Sequence, residues 1–279
     1  MHEYLVLNID PVLFRMNLGF NFELRYYGLM FMTAFLFGYR LMVSVCKNEG
    51  KSTEHLDSLL NYMMLGTIIG ARLGHCFFYQ PEFFLSHPAE IFKIWKGGLA
   101  SHGGILGVLF VIYLYSRKHA DQPYLWVVDR LTFSAVFTAF LIRMGNFFNM
   151  EIVGHETTVP WAMAFMRNGL QNKVTGEFLP RHPTMLYEAF TYLGLFILIF
   201  FIYKKFWKKL PDGFYVGLSL IVIFTARFFI EFTKKKQADF GLEHALNMGH
   251  YLSLPFIAVG IWLLISIFKK HKNSQKEKA

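Results

Sequence analysis

The stretch Met185-Leu186-Tyr187-Glu188-Ala189-Phe190-Thr191-Tyr192-Leu193-Gly194-Leu195-Phe196-Ile197-Leu198-Ile199-Phe200-Phe201-Ile202-Tyr203 decides the fold. It carries one charged side chain, Glu188, and stops at Lys204-Lys205. A helix that crosses a bilayer needs ~20 mainly apolar residues. Six further runs have the same character: 26–46, 58–79, 99–116, 124–142, 213–232 and 249–268. The expected fold is therefore an all-α membrane protein with seven transmembrane helices. It forms a single integral-membrane domain over 1–279, with a short N-terminal arm (1–25), one long extracytoplasmic loop (143–184) and a basic, disordered tail (269–279).

Composition agrees. Of 279 residues, 54% are hydrophobic and 17% charged, with 32 Phe, 14 Tyr and 5 Trp. An ordinary soluble domain is roughly 25% charged. Disordered, collagen-like and most soluble classes are excluded. The mean hydropathy of +0.34 is modest for a membrane protein, so much of the chain lies outside lipid. Cys46 and Cys76 sit in apolar runs, which excludes a disulfide framework and a thiolate metal site. The first 14 residues lack a basic stretch followed by an apolar one, so no cleavable signal peptide is expected. The first spanning helix would then act as the signal. No 20–50-residue repeat, P-loop or G-x-G-x-x-G occurs. The net charge of +9 falls largely in short loops and the tail, so nucleic-acid binding is not expected.

Lys and Arg are slightly richer in the loops after runs one, three and five and in the tail, which predicts a cytoplasmic C-terminus and an outer N-terminus. Seven spans also fix which end of each run faces which side. By that parity Tyr26, Tyr27, Arg72, His75, His102, Arg143, Asn146, Asn149, Glu151, His182, Tyr187, Glu188, Arg227, Glu231, His250 and Ser253 all fall toward one leaflet. Ionisable groups inside spans are expensive and face one another or a polar cavity. A polar chamber open to one leaflet is the expectation. Arg227 and Glu231 are four apart and can pair along one helix face. Asp129 and Arg130, near the opposite side, read as structural.

Two clusters carry chemistry. In Ser101-His102-Gly103-Gly104-Ile105-Leu106-Gly107 the glycines permit close helix packing, and also close approach to His102. In Arg143-Met144-Gly145-Asn146-Phe147-Phe148-Asn149-Met150-Glu151-Ile152-Val153-Gly154 an arginine meets two carboxamides, a carboxylate and a glycine able to take positive φ. Arginine offers a planar fork for phosphate oxygens. The ligand expected is a phospholipid head group, its phosphate meeting Arg143, Arg227 or Arg72.

These residues resemble the bacterial phosphatidylglycerol–prolipoprotein diacylglyceryl transferases. The family signature R-x-G-N-F-x-N-x-E-x-x-G matches 143–154 at every specified position. Shorter similar stretches occur in the family's order: Arg25-Tyr26-Tyr27-Gly28, Gly70-Ala71-Arg72-Leu73-Gly74, Ser101-His102-Gly103-Gly104, Arg181-His182-Pro183-Thr184, Arg227-Phe228-Phe229-Ile230-Glu231 and Met248-Gly249-His250-Tyr251. The likeness covers about 24–260. Ile142, Met185 and His250 depart from the usual Gly, Gln and Gln, and Thr225-Ala226 stand before Arg227 in place of Tyr-Gly.

The resemblance implies a transferase of the bacterial cytoplasmic (inner) membrane, with seven helices and a site opening toward the periplasmic leaflet. Its partners would be phosphatidylglycerol, lipobox-containing preprolipoproteins and membrane lipids, with no cofactor or metal. The diacylglyceryl group would pass to the lipobox cysteine, a thioether forming and glycerol phosphate leaving. His102 would act as general base, and Arg143 and Arg227 would bind phosphate. Asn146 and Gly154 would shape the head-group site, Glu151 and Glu231 would orient the arginines, and Tyr26 would bond head group or thiol. The rivals are a lipid transporter or flippase, which needs a pathway to both leaflets and often repeat symmetry, and a non-catalytic scaffold, which leaves both clusters without purpose.

Overall fold

A computed structural model describes residues 4–17, 21–167, 176–234 and 246–276. Parts of the expected arm (1–3, 18–20), outer loop (168–175) and tail (277–279) lie outside the described residues. Eight α-helices are described: α1 (Tyr26–Asn48), α2 (Leu56–Tyr79), α3 (Pro81–Ser86), α4 (Ser101–Lys118), α5 (Tyr124–Asn149), α6 (Thr184–Phe206), α7 (Phe214–Glu231) and α8 (Met248–Lys276). They pack as two compact units, 39–131 and the combination of 1–38 with 132–279.

The all-α, multi-pass character holds, but the expectation of seven spanning helices does not. Among the described residues five helices are long and apolar enough to cross a membrane: α1, α5, α6, α7 and α8. Helices form at the second and third expected runs too, as α2 and α4, yet neither sustains an apolar window. Asn61, Arg72, His75 and three glycines dilute α2. In its 18 residues α4 opens on Ser101-His102-Gly103-Gly104 and ends on Arg117-Lys118.

The same glycines explain how the 39–131 unit packs. A Cβ on Gly66 would lie 2.9 Å from the Gly107 carbonyl oxygen, and one on Gly74 only 2.7 Å from the Gly103 Cα. With no side chain between them, α2 and α4 meet backbone to backbone as an antiparallel pair. A buried ionic cluster sits elsewhere in this unit. Arg130 pairs with Glu49 at 2.7 Å and Asp129 at 2.6 Å, and the Trp126 indole N–H donates to Glu49 at 2.7 Å. The structural reading of Asp129 and Arg130 fits this geometry.

In the other unit the N-terminal arm is built of strands. β1 (Leu5–Leu7) runs parallel to β4 (Met163–Phe165), which pairs antiparallel with β5 (Pro180–Arg181). β2 (Val12–Asn17) and β3 (Asn21–Arg25) form a hairpin leading into α1. Two boundaries also shift. Helix α5 runs on to Asn149, so Arg143 and Asn146 lie on its last turns rather than in a loop. Helix α8 runs on to Lys276, so the tail is helical to that point, its Lys and Gln being good helix formers. Buried Met150, Phe165 and Met185 form a small core, with Leu7, Phe147, Val153 and Leu186 against it. This core binds the strand layer and the segment after α5 to the start of α6.

Candidate active site

Glu188 organises the polar centre of the second unit. It lies one turn into α6, and its side chain is 1% exposed. A carboxylate so placed in an apolar helix needs cations. One oxygen pairs with the Arg143 Nε; the other accepts from Lys234 Nζ at 2.8 Å. The Lys234 ammonium also reaches Glu231 at 3.2 Å. On the other flank an Arg143 terminal nitrogen donates to Asn146 Oδ1 at 3.1 Å, and the Asn146 amide donates to Glu151 at 3.3 Å. The Asn149 amide meets the second Glu151 oxygen at 3.3 Å. One chain of contacts thus joins Glu151, Asn146, Arg143, Glu188, Lys234 and Glu231, drawn from α5, α6 and α7 and their ends. Tyr192, one turn beyond Glu188, hydrogen-bonds with Arg143 and lies within electrostatic reach of Arg227.

Arg227 differs. The i,i+4 pair with Glu231 does not form; Glu231 takes Lys234 instead. Among the described residues Arg227 has no carboxylate within ion-pair distance, though it is half-buried on an apolar helix. Arg143 pairs with Glu188, Lys234 with Glu188 and Glu231, and Glu151 meets only the Asn146 and Asn149 amides, so among the described residues of this group Arg227 is the cation with no carboxylate in contact. A guanidinium so placed calls for an anion.

Local backbone fixes the signature segment. The residues at positive φ are Met150 (55°) and the β-branched Ile152 (59°), not Gly154. A β-branched residue there is strained, and such strain persists only where the surroundings hold it. The holding contacts are visible: the Ile152 carbonyl accepts from Thr184 Oγ1 at 2.5 Å, and Met150 is buried in the core. Gly154 is required for closeness instead. Its N–H donates to the His182 carbonyl at 2.8 Å, and its carbonyl accepts from Arg181 at 3.3 Å. A Cβ would come within 2.7 Å of the His182 Cβ and 2.8 Å of the Thr184 methyl. Tyr26 opens α1 and stacks on Phe148, with ring centroids 4.4 Å apart. Tyr27 packs its ring against Gly145.

Beside this segment His182 Nδ1 lies 3.0 Å from the Tyr187 hydroxyl, which also accepts from the Trp161 indole at 2.7 Å. Burial, then the neighbouring His155 charge, lower the His182 pKa from its ordinary 6.5. At neutral pH it is an uncharged imidazole.

Arg72 and His102 belong to the other unit. Arg72 is buried and spends all five N–H donors on carbonyls: Ile91 at 2.8 Å, Gly97 at 2.6 Å, Gly98 at 3.1 Å, Glu90 at 2.6 Å and Lys93 at 3.5 Å. It holds the connection between α3 and α4 in place and keeps no donor for a phosphate. His102 sits in the first turn of α4, exposed, with its ring 5.3 Å from Phe78 and 5.8 Å from Tyr79. The sequence reading passed over Lys234 and Tyr192. Lys234 had a signal, since Glu188 in an apolar run demands a cation and Lys234 follows Glu231 by three. Tyr192 had none.

Comparison with known proteins adds the chemistry. The family model described as prolipoprotein diacylglyceryl transferase matches residues 11–266. A phosphatidylglycerol–prolipoprotein diacylglyceryl transferase of Chloroherpeton thalassium is 44% identical over 277 residues, covering 99% of this chain and 98% of that protein. The protein of the same name from Tolumonas auensis is 42% identical over 272 residues (98% of each), and that of Bacteroides fragilis 40% over 275 (94% and 95%).

Proposed function

This chain belongs to the prolipoprotein diacylglyceryl transferase family, and from that membership we propose how its own residues carry the transfer. The chain is a multi-pass transferase of the bacterial inner membrane. It moves the diacylglyceryl group of phosphatidylglycerol to the lipobox cysteine of preprolipoproteins. The cysteine sulfur forms a C–S bond to the glyceryl carbon; the bond from that carbon to the phosphate oxygen breaks, and its electron pair leaves on that oxygen with glycerol phosphate. The nucleophile belongs to the substrate, so the enzyme must bind phosphate, stabilise the departing charge and take a proton.

The observation that carries the phosphate assignment is Arg227, half-buried and without an ion-pair partner among the described residues. Arg143 assists it. Glu188 and Asn146 hold the Arg143 guanidinium so that its remaining donors face the ligand. Charge developing on the leaving phosphate is then met by donors already in position. Glu151 and Glu231 act at one remove, through Asn146 and Lys234. Gly154 keeps the strained segment tight, and Tyr26, stacked on Phe148, offers its hydroxyl to head group or thiol. His102 is the general base on its chemistry alone. A thiol has a pKa of about 8.5 and an imidazole about 6.5, so imidazole can accept the proton near neutrality. Arg72 acts by holding its connection rather than by touching phosphate.

The chain works as one transferase domain with its N-terminus outside, its C-terminus cytoplasmic and its site toward the periplasmic leaflet.

The decisive experiment is mass spectrometry of a lipobox peptide incubated with purified protein and phosphatidylglycerol in detergent. A diacylglyceryl adduct on cysteine, lost with Arg227→Ala or Arg143→Ala, is expected. An adduct at wild-type rate from Arg227→Ala protein would refute the phosphate assignment. Near-normal turnover by His102→Gln would remove the base.

A further inference from the structure

The ring of His250 is 1% exposed in the first turn of α8. Its Nδ1 accepts the Asn247 backbone N–H at 2.9 Å. An imidazole nitrogen that accepts carries no proton, so the neutral ring has its hydrogen on Nε2. That Nε2 is buried and has no hydrogen-bond partner among the described residues. The ring lies edge-on to Phe228, centroids 5.0 Å apart, and tilted against Phe232 at 4.2 Å. These two phenylalanines each follow a charged residue of the site, Arg227 and Glu231. Gly249, next to His250, abuts the Glu231 carboxylate: a Cβ there would stand 2.6 Å from either oxygen. The idle donor is therefore one residue from the polar centre on α8, and on α7 its ring packs on the stripe adjoining Arg227 and Glu231.

A buried donor without a partner is destabilising, because it has given up its hydrogen bond to water and gained none. The Nδ1 acceptor explains a polar side chain at 250, but nothing among the described residues uses the Nε2 donor. The asymmetry of the two nitrogens is informative. One is tied to backbone, which fixes the ring, and this aims the other N–H. We propose that His250 is a substrate-positioning residue whose Nε2–H donates to an acceptor oxygen of the glycerophospholipid, beside the phosphate held by Arg227. This rests on the assignment of phosphate to Arg227 above.

The test compares His250→Leu with His250→Gln in the peptide lipidation assay, varying phosphatidylglycerol, and records thermal unfolding without lipid. Loss of one neutral hydrogen bond predicts a KM for phosphatidylglycerol raised roughly tenfold in the leucine variant. Its kcat should change far less, and its lipid-free Tm should stay near wild type, removal of the idle donor offsetting loss of the acceptor for the Asn247 N–H. Glutamine keeps a donor at similar reach and should bring KM back to within about twofold of wild type. A leucine variant with wild-type KM overturns the proposal. So does a glutamine variant as impaired as leucine, since ring shape rather than the donor would then matter. Should leucine not fold, His250→Phe provides the apolar ring under the same expectation. Lipidation that survives Arg227→Ala would instead sink the phosphate assignment, a separate and distinguishable failure.

Discussion

A single buried carboxylate organises the polar cluster. Glu188 neutralises Arg143 and Lys234 and holds both in place. Glu188→Gln keeps shape and removes charge, leaving Arg143 without its carboxylate and Lys234 with Glu231 alone. Breaking a buried pair costs about 3–5 kcal/mol; we expect a lower Tm in detergent and lipidation reduced about a hundredfold or more, read by thermal unfolding and adduct formation. At His182 the expectation concerns pH. Its folded pKa lies below the unfolded value, so the unfolded chain takes up its proton first. Stability is then full above about pH 6.5 and falls as pH drops below it. Unfolding curves from pH 7.5 to 5 should show this slope, and His182→Gln should flatten it. Part of the polar cluster was legible in the sequence. Arg143, Asn146 and Glu151 stand close enough in the chain to be read as one cluster. Glu188 with Lys234 is separated by a helix and a turn of chain, and only packing reveals the pair. Arg72 misled because a sequence shows a cation without showing what already occupies its donors.

Helices were legible in position and misjudged in kind. Every expected apolar run is a helix, because runs near 20 residues leave the backbone little choice in lipid. The spanning count failed at α2 and α4, where glycine replaces apolar bulk. That pair makes a sharp prediction. A Cβ on Gly103 would overlap the Gly70 backbone, so Gly103→Val should separate the helices. Overpacking against a rigid backbone costs upward of 1–3 kcal/mol. Monodisperse protein on size exclusion should fall sharply, whereas Gly28→Ala, with open space around it, should behave as wild type. Strands β1 and β5 escaped notice because they are only two or three residues long, β1 pairing with residues over 150 positions away and β5 with β4. No periodicity can show in so short a segment.

For the molecule as a whole, the balance of basic residues bears on orientation. A C-terminus on the cytoplasmic side predicts that a reporter fused after Lys276 fluoresces in cells if it folds only in the cytoplasm. An alkaline phosphatase fused there should be inactive; the reverse pattern would invert the proposed orientation. The two compact units differ in how they are held. One rests on glycine contacts and buried ions, the other on a small apolar core and a strand layer.

The clamp at Arg72 has a practical consequence. It grips the connection between α3 and α4 by backbone carbonyls alone, so it is blind to the side chains it holds. Phe92 and Trp95 project outward there, 78% and 76% exposed. That segment is a natural mounting point for a fluorophore: a cysteine at Trp95 would carry a label without disturbing the clamp beneath it.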